Sequence, residues 1–274
     1  MEILFEPIEE SLMALPLLFF ACILIEYLSN RNVINKIMEY GRLGPAIGAI
    51  AGCIPQCGFS VVAAKLLAMN AITPGTLLAV FIATSDEALS ILMIHPNLWK
   101  MFILLIVLKI VLGTVTGWVY DKIKHDEDRY EYIQIAACDC GCQNGILIPA
   151  IKHALKIFLF ILLTNVALTV LIEWIGEAVF IHFLNTNWLL HPLAAGLVVF
   201  IPNCAGSVIL TQLFVSGGLS FGALFAGLTT SAGVGTFALL TYLEDKKSAG
   251  KLLLISYLVA IISGYDIMLV SLYV

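Results

Sequence analysis

The chain has 274 residues, 61% of them hydrophobic and only 12% charged, with a mean hydropathy of +1.00. Apolar windows long enough to span a bilayer recur along almost its whole length, which excludes an ordinary soluble domain and marks an all-α integral membrane protein. The formal net charge of −5 says little by itself, because in such a chain the placement of charge matters more than its sum.

The N-terminus carries Glu2, Glu6, Glu9 and Glu10 and no Lys or Arg, so no cleaved signal peptide is expected. Apolar spans are predicted at roughly 12–29, 43–56, 58–72, 74–94 and 101–120. A second set is predicted at roughly 153–176, 189–201, 205–218, 220–241 and 252–272. Between the sets lies a polar stretch, which divides the chain into a first repeat at 1–122, a linker at 123–150 and a second repeat at 151–274.

The two sets are copies. Ile54-Pro55-Gln56-Cys57-Gly58-Phe59-Ser60 returns 147 positions later as Ile201-Pro202-Asn203-Cys204-Ala205-Gly206-Ser207. The same offset pairs Glu26 with Glu173, Pro45 with Pro192 and Gly117 with Gly264, without a gap. Between 54 and 79, nine of twenty-six positions match their partners, and the ungapped register identifies a duplication. Each Pro-x-Cys stretch interrupts an apolar segment. In hydrocarbon, a backbone that leaves the helix must find partners in protein or in a water-filled cavity. The pieces on either side are too short to cross about 30 Å alone, so they are either short tilted crossings or the arms of a re-entrant hairpin.

Basic residues orient the chain. Arg31, Lys36 and Arg42, then Lys122, Lys124, Arg129, Lys152 and Lys156, then Lys246, Lys247 and Lys251 make up eleven of the fourteen. Their three loops are expected in the cytoplasm and both termini outside, in the cell (inner or plasma) membrane. Each half then crosses an odd number of times, so the fold expected is two inverted repeats of about five transmembrane segments each. That is a common plan of secondary transporters, with substrate bound at mid-depth where broken helices meet.

Four groups of residues could carry chemistry. At the Pro-x-Cys breaks, Gln56 and Asn203 offer amide oxygens, Cys57 and Cys204 sulfur, and Ser60 and Ser207 hydroxyls one turn on; a packing kink with cysteine as a small apolar residue is the bland alternative. Within the 74–94 span, Ser85, Asp86 and Glu87 place carboxylates where they are costly and therefore face a pathway or a partner. On a helix the two point about 100° apart, so only one is expected to face the site directly. Their counterparts in Thr230-Ser231-Ala232-Gly233-Val234-Gly235 keep the hydroxyls but replace the carboxylates with a glycine that permits close approach. An ion pair with Lys109 or Lys65 is the structural alternative. Glu26 and Glu173, near span ends, read as snorkelling side chains or as gating and proton-transfer groups. In the linker, Cys138, Cys140 and Cys142 suit a soft cation, although no fixed fourth ligand is evident.

At I-P-Q-C-G-F-S (54–60), T-S-D-E-A-L (84–89) and I-P-N-C-A-G-S (201–207), the chain resembles the ten-transmembrane heavy-metal exporter family. Relatives carry arsenic-efflux or manganese-transporter labels. The resemblance covers nearly the whole chain and implies export of a metal or metalloid. It carries over to Gln56, Cys57, Ser60, Ser85, Asp86, Glu87, Asn203, Cys204 and Ser207 as substrate-binding residues. Metal ligation is expected from Asp86, Glu87, Cys57, Cys204 and the three linker cysteines, and coupling from Asp86, Glu87, Glu26 and Glu173.

A secondary-active exporter of a divalent ion such as manganese, exchanged for protons, is the first expectation. An efflux permease for arsenic or antimony species is the alternative, and a membrane metal sensor that does not transport is the third. No P-loop and no H-E-x-x-H occur, so neither ATP use in that mode nor enzymatic activity is expected. The expected partners are the ion and the lipid bilayer, with a second copy of the chain compatible; no cofactor and no nucleic acid are expected.

Overall fold

The computed structural model describes residues 43–54, 57–69, 71–84, 88–123, 190–200, 204–243 and 245–273, together with 155 and 159. The regular elements among them are all helical. In chain order they are α1 (Gly44–Gly52), α2 (Cys57–Ala68), α3 (Pro74–Ala83), α4 (Ala88–Ile94), a 3-10 turn (Pro96–Leu98), α5 (Trp99–Ile123), α6 (His191–Phe200), α7 (Cys204–Val215), α8 (Phe221–Thr230), α9 (Val234–Tyr242) and α10 (Lys246–Tyr273). The expected span at 12–29, nearly all of that at 153–176 and the linker cysteines lie outside the described residues.

Local chemistry starts and stops these helices. Thr73 caps α3, its hydroxyl accepting from the Thr76 N–H at 3.1 Å, and Pro74 follows where a missing N–H costs nothing. Ser220 caps α8 in the same way, accepting from the Ala223 N–H at 3.3 Å. Asp245 opens α10, with one carboxylate oxygen 3.0 Å from the Lys247 N–H and the other 2.6 Å from the Ser248 hydroxyl. The starts of α2 and α7, of α3 and α8, and of α5 and α10 are each 147 residues apart.

One expectation needs correction. The spans read as continuous at 74–94 and 220–241 are each two helices. α3 ends at Ala83 and α4 begins at Ala88, while α8 ends at Thr230 and α9 begins at Val234. The Thr84 hydroxyl folds back to the Val80 carbonyl at 2.7 Å, and that of Thr230 to the Ala226 carbonyl at 2.8 Å. Gly233, at φ +51°, then turns the chain through a conformation other residues avoid. No proline marks these breaks, so hydropathy alone runs straight across them.

Helix directions follow from close approaches. Gly44 and Gly48 lie on Thr76, and Gly52 lies on Val80 and Ala83, so α1 and α3 run parallel. Gly75 meets Gly117 and Asp121, and Gly113 meets Ala79, so α3 and α5 run antiparallel. A methyl group on Gly117 would come within 2.5 Å of the Gly75 carbonyl oxygen, and one on Gly222 within 2.5 Å of that of Gly264. The same crossing therefore recurs at the corresponding pair in the second half.

Only residues 69–73 separate α2 from α3, so α2 must return to the level at which α1 began. α1 and α2 therefore run in opposite directions, and from α3 the chain leads through α4 to the start of α5. α1 and α2 splay apart: α1 lies on α3 and α5, whereas α2 lies mainly on α9. Helices α3 and α8 form the centre and are buried from Gly75 to Ala83 and from Gly222 to Thr230. Helices α5 and α10 are long enough to span a bilayer and leave apolar stripes exposed, through Ile103, Val107, Val111 and Val115 on one and Leu254, Leu258 and Ile262 on the other. Such stripes are stable against lipid rather than water. The chain is a multi-pass membrane protein.

Candidate functional site

The helix breaks are assembled crosswise. α2, which begins at Cys57, packs against α9, which follows the break at 231–233 in the other half. α7, which begins at Cys204, packs against α4, which follows Ser85-Asp86-Glu87 in the first half. Each Pro-x-Cys helix therefore packs on the helix that follows the second break of the opposite copy.

The α2–α9 contact is close because Gly235 carries no side chain. A methyl group there would lie 2.5 Å from Ser60 Cβ and 2.7 Å from Ser60 Oγ. Ser60 is fully buried in this contact, and its counterpart Ser207 is fully buried on α7. Further along, Lys65 sits 6.0 Å over the Tyr242 ring, so α2 and α9 run parallel. The apolar filling between them comes from both halves, including Val61, Ala64 and Leu67 with Ala238 and Leu239.

Lys109 ties the breaks together. It is fully buried on α5, and Nζ donates to the Thr84 carbonyl at 2.5 Å and to the Leu228 carbonyl at 2.8 Å. Thr84 is the C-cap of α3, and Leu228 lies in the last turn of α8. One ammonium thus joins the ends of the two central helices across the halves. Thr84 and, at the end of α8, Thr229, Thr230 and Ser231 are buried; among the described residues the hydroxyl of Thr229 has no hydrogen-bond partner. Cys53 ends α1 as a free thiol, packed against Ala49, Ala79 and Ala83 beside Ile110.

Of the residues singled out in the sequence, Ser60 is buried at the α2–α9 contact, Ser207 is buried on α7, and Cys57 and Cys204 are the first residues of their helices. Gln56, Ser85, Asp86, Glu87 and Asn203 lie outside the described residues, as do Glu26, Glu173, Cys138, Cys140 and Cys142. Among the described residues, no three His, Cys, Asp or Glu side chains gather as a metal cluster. Sequence reasoning weighed Lys109 as an ion-pair partner and missed its hold on two helix ends. The available signal was an isolated lysine in a long apolar run, where a charge is expensive enough to require a purpose.

A family model described as "Putative, 10TM heavy-metal exporter" matches residues 10–183 and 146–271. No curated protein and no solved structure matches the chain.

Proposed function

The chain belongs to this ten-transmembrane heavy-metal exporter family, and from that premise we propose that it is a secondary-active exporter of a divalent transition-metal ion, manganese being the leading case, in exchange for protons. The observation that carries the reading is the crosswise assembly of the breaks, with α7 on α4 and α2 on α9. It supports a single site at mid-depth to which both copies contribute, as in other transporters built from broken helices.

We also infer that the halves insert as inverted repeats. The parallel run of α2 and α9 supports this, because it brings the ends of α2 in the first half and α9 in the second to the same side. That side would be the cytoplasm, where the basic loops 30–42, 123–156 and 242–251 belong.

In this reading Asp86, Glu87, Gln56, Asn203 and carbonyls released at the breaks hold the ion, since hard oxygen ligands suit Mn(II). Ser60, Ser85 and Ser207 line the approach. Expelling a dication against an inside-negative potential costs about 4.6 kcal/mol at 100 mV, twice the ~2.3 per charge. Inward proton flow can supply it: a proton arriving on Asp86 or Glu87 from outside displaces the metal, and its release to the cytoplasm restores the carboxylate. The test is Asp86→Asn in proteoliposomes. Metal-driven proton movement should vanish, and undiminished coupling would overturn the exchange.

Arsenic or antimony export remains the second reading, supported by the place of Cys57 and Cys204 as the first residues of α2 and α7. Soft thiolates there would hold a thiophilic species.

A further inference from the structure

Lys109 is the only charged residue between Met101 and Tyr120. Among its partners are the carbonyls of Thr84 and Leu228, which belong to helix C-terminal ends, where carbonyls run out of intrahelical donors and the helix dipole is negative. In transporters with broken helices, such ends together with unwound carbonyls coordinate the coupling cation. Here a side-chain ammonium stands in the equivalent position, covalently fixed to α5. At the corresponding place in α10 stands Ser256, which is buried and gives its hydroxyl to the Leu253 carbonyl of its own helix at 2.8 Å.

We propose that Lys109 is a built-in substitute for a small monovalent cation at the seam between the halves, so that this protein needs no sodium or potassium ion there. A free ion could leave and let the ends of α3 and α8 part. An amine tethered to α5 cannot. The inference concerns the seam and does not depend on which metal is exported.

The test is thermal unfolding of the purified protein and of Lys109→Met and Lys109→Ala, in choline, sodium and potassium chloride at equal ionic strength. Met keeps most of the aliphatic stem and Ala opens the space, but neither supplies a donor. In choline both variants should melt about 5–10 °C below the wild type, because two buried carbonyls lose their partner. Sodium or potassium should restore at least half of that loss in one or both variants, while the wild type stays the same in all three salts. Variants as stable as the wild type in choline, or equally weakened in every salt, would overturn the proposal. If neither variant survives extraction, the wild type decides: a midpoint independent of the salt supports a filled position, and one that rises with sodium or potassium shows a cation site the amine does not occupy.

Discussion

Ser60 on α2 and Gly235 on α9 are in such close contact that a single added methyl on Gly235 would lie 2.5 Å from Ser60 Cβ. The two residues come from opposite copies of the duplicated unit, so this contact sets how tightly the halves close around the breaks. Gly235→Ala should force α2 and α9 apart and destabilise the protein by about 1–3 kcal/mol, the usual cost of overpacking. Thermal unfolding in detergent measures this, and an unchanged midpoint would refute the close contact.

Asp121 anchors the start of α3 from α5, accepting from the Thr73 hydroxyl at 2.6 Å and the Gly75 N–H at 2.8 Å. Its counterpart in the second half is Met268, which is buried. Asp121→Ala should cost about 1–3 kcal/mol through loss of charge-assisted bonds at a helix N-terminus. Met268→Leu, a swap of similar volume, should cost less than about 1.5 kcal/mol. The ranking of the two midpoints checks the asymmetry.

Asp245, at the cytoplasm-facing start of α10 in our reading, has its carboxyl held below the usual carboxylate range, first by the Ser248 hydroxyl and then by the Lys247 backbone N–H. A folded-state value below the unfolded one adds stability above the unfolded pKa of about 3.9, and that gain is lost as pH falls through the folded value. The midpoint difference between wild type and Asp245→Ala should therefore be flat at neutral pH and shrink on acidification below about pH 4. A difference that grows toward acid would contradict the assignment.

Replacing Cys57 and Cys204 together by serine separates the two substrate readings. Under oxygen-based binding of manganese, tolerance of cells to that metal should persist at close to the wild-type level. Tolerance to arsenite should collapse only if the thiols carry the substrate. Parallel growth curves with both toxicants, read beside cellular metal content, give the answer.

The membrane class, the duplication at an offset of 147 and the interruptions at Pro55 and Pro202 are legible in the sequence because each leaves a one-dimensional mark: apolar length, ungapped register, or a residue that cannot continue a helix. The interruptions after Ala83 and Thr230 escape that reading. They rest on threonine hydroxyls bonded back to carbonyls and on one glycine with positive φ, and neither breaks an apolar run. Which helix packs on which is a matter of surface fit between segments well over a hundred residues apart. The pairing of α2 with α9, the separate packing of α1 and α2, and the grip of Lys109 on the carbonyls of Thr84 and Leu228 arise only when the chain closes on itself. Hydropathy and register are properties of the chain, whereas the partner of a buried ammonium is decided by what the fold brings within 3 Å of it.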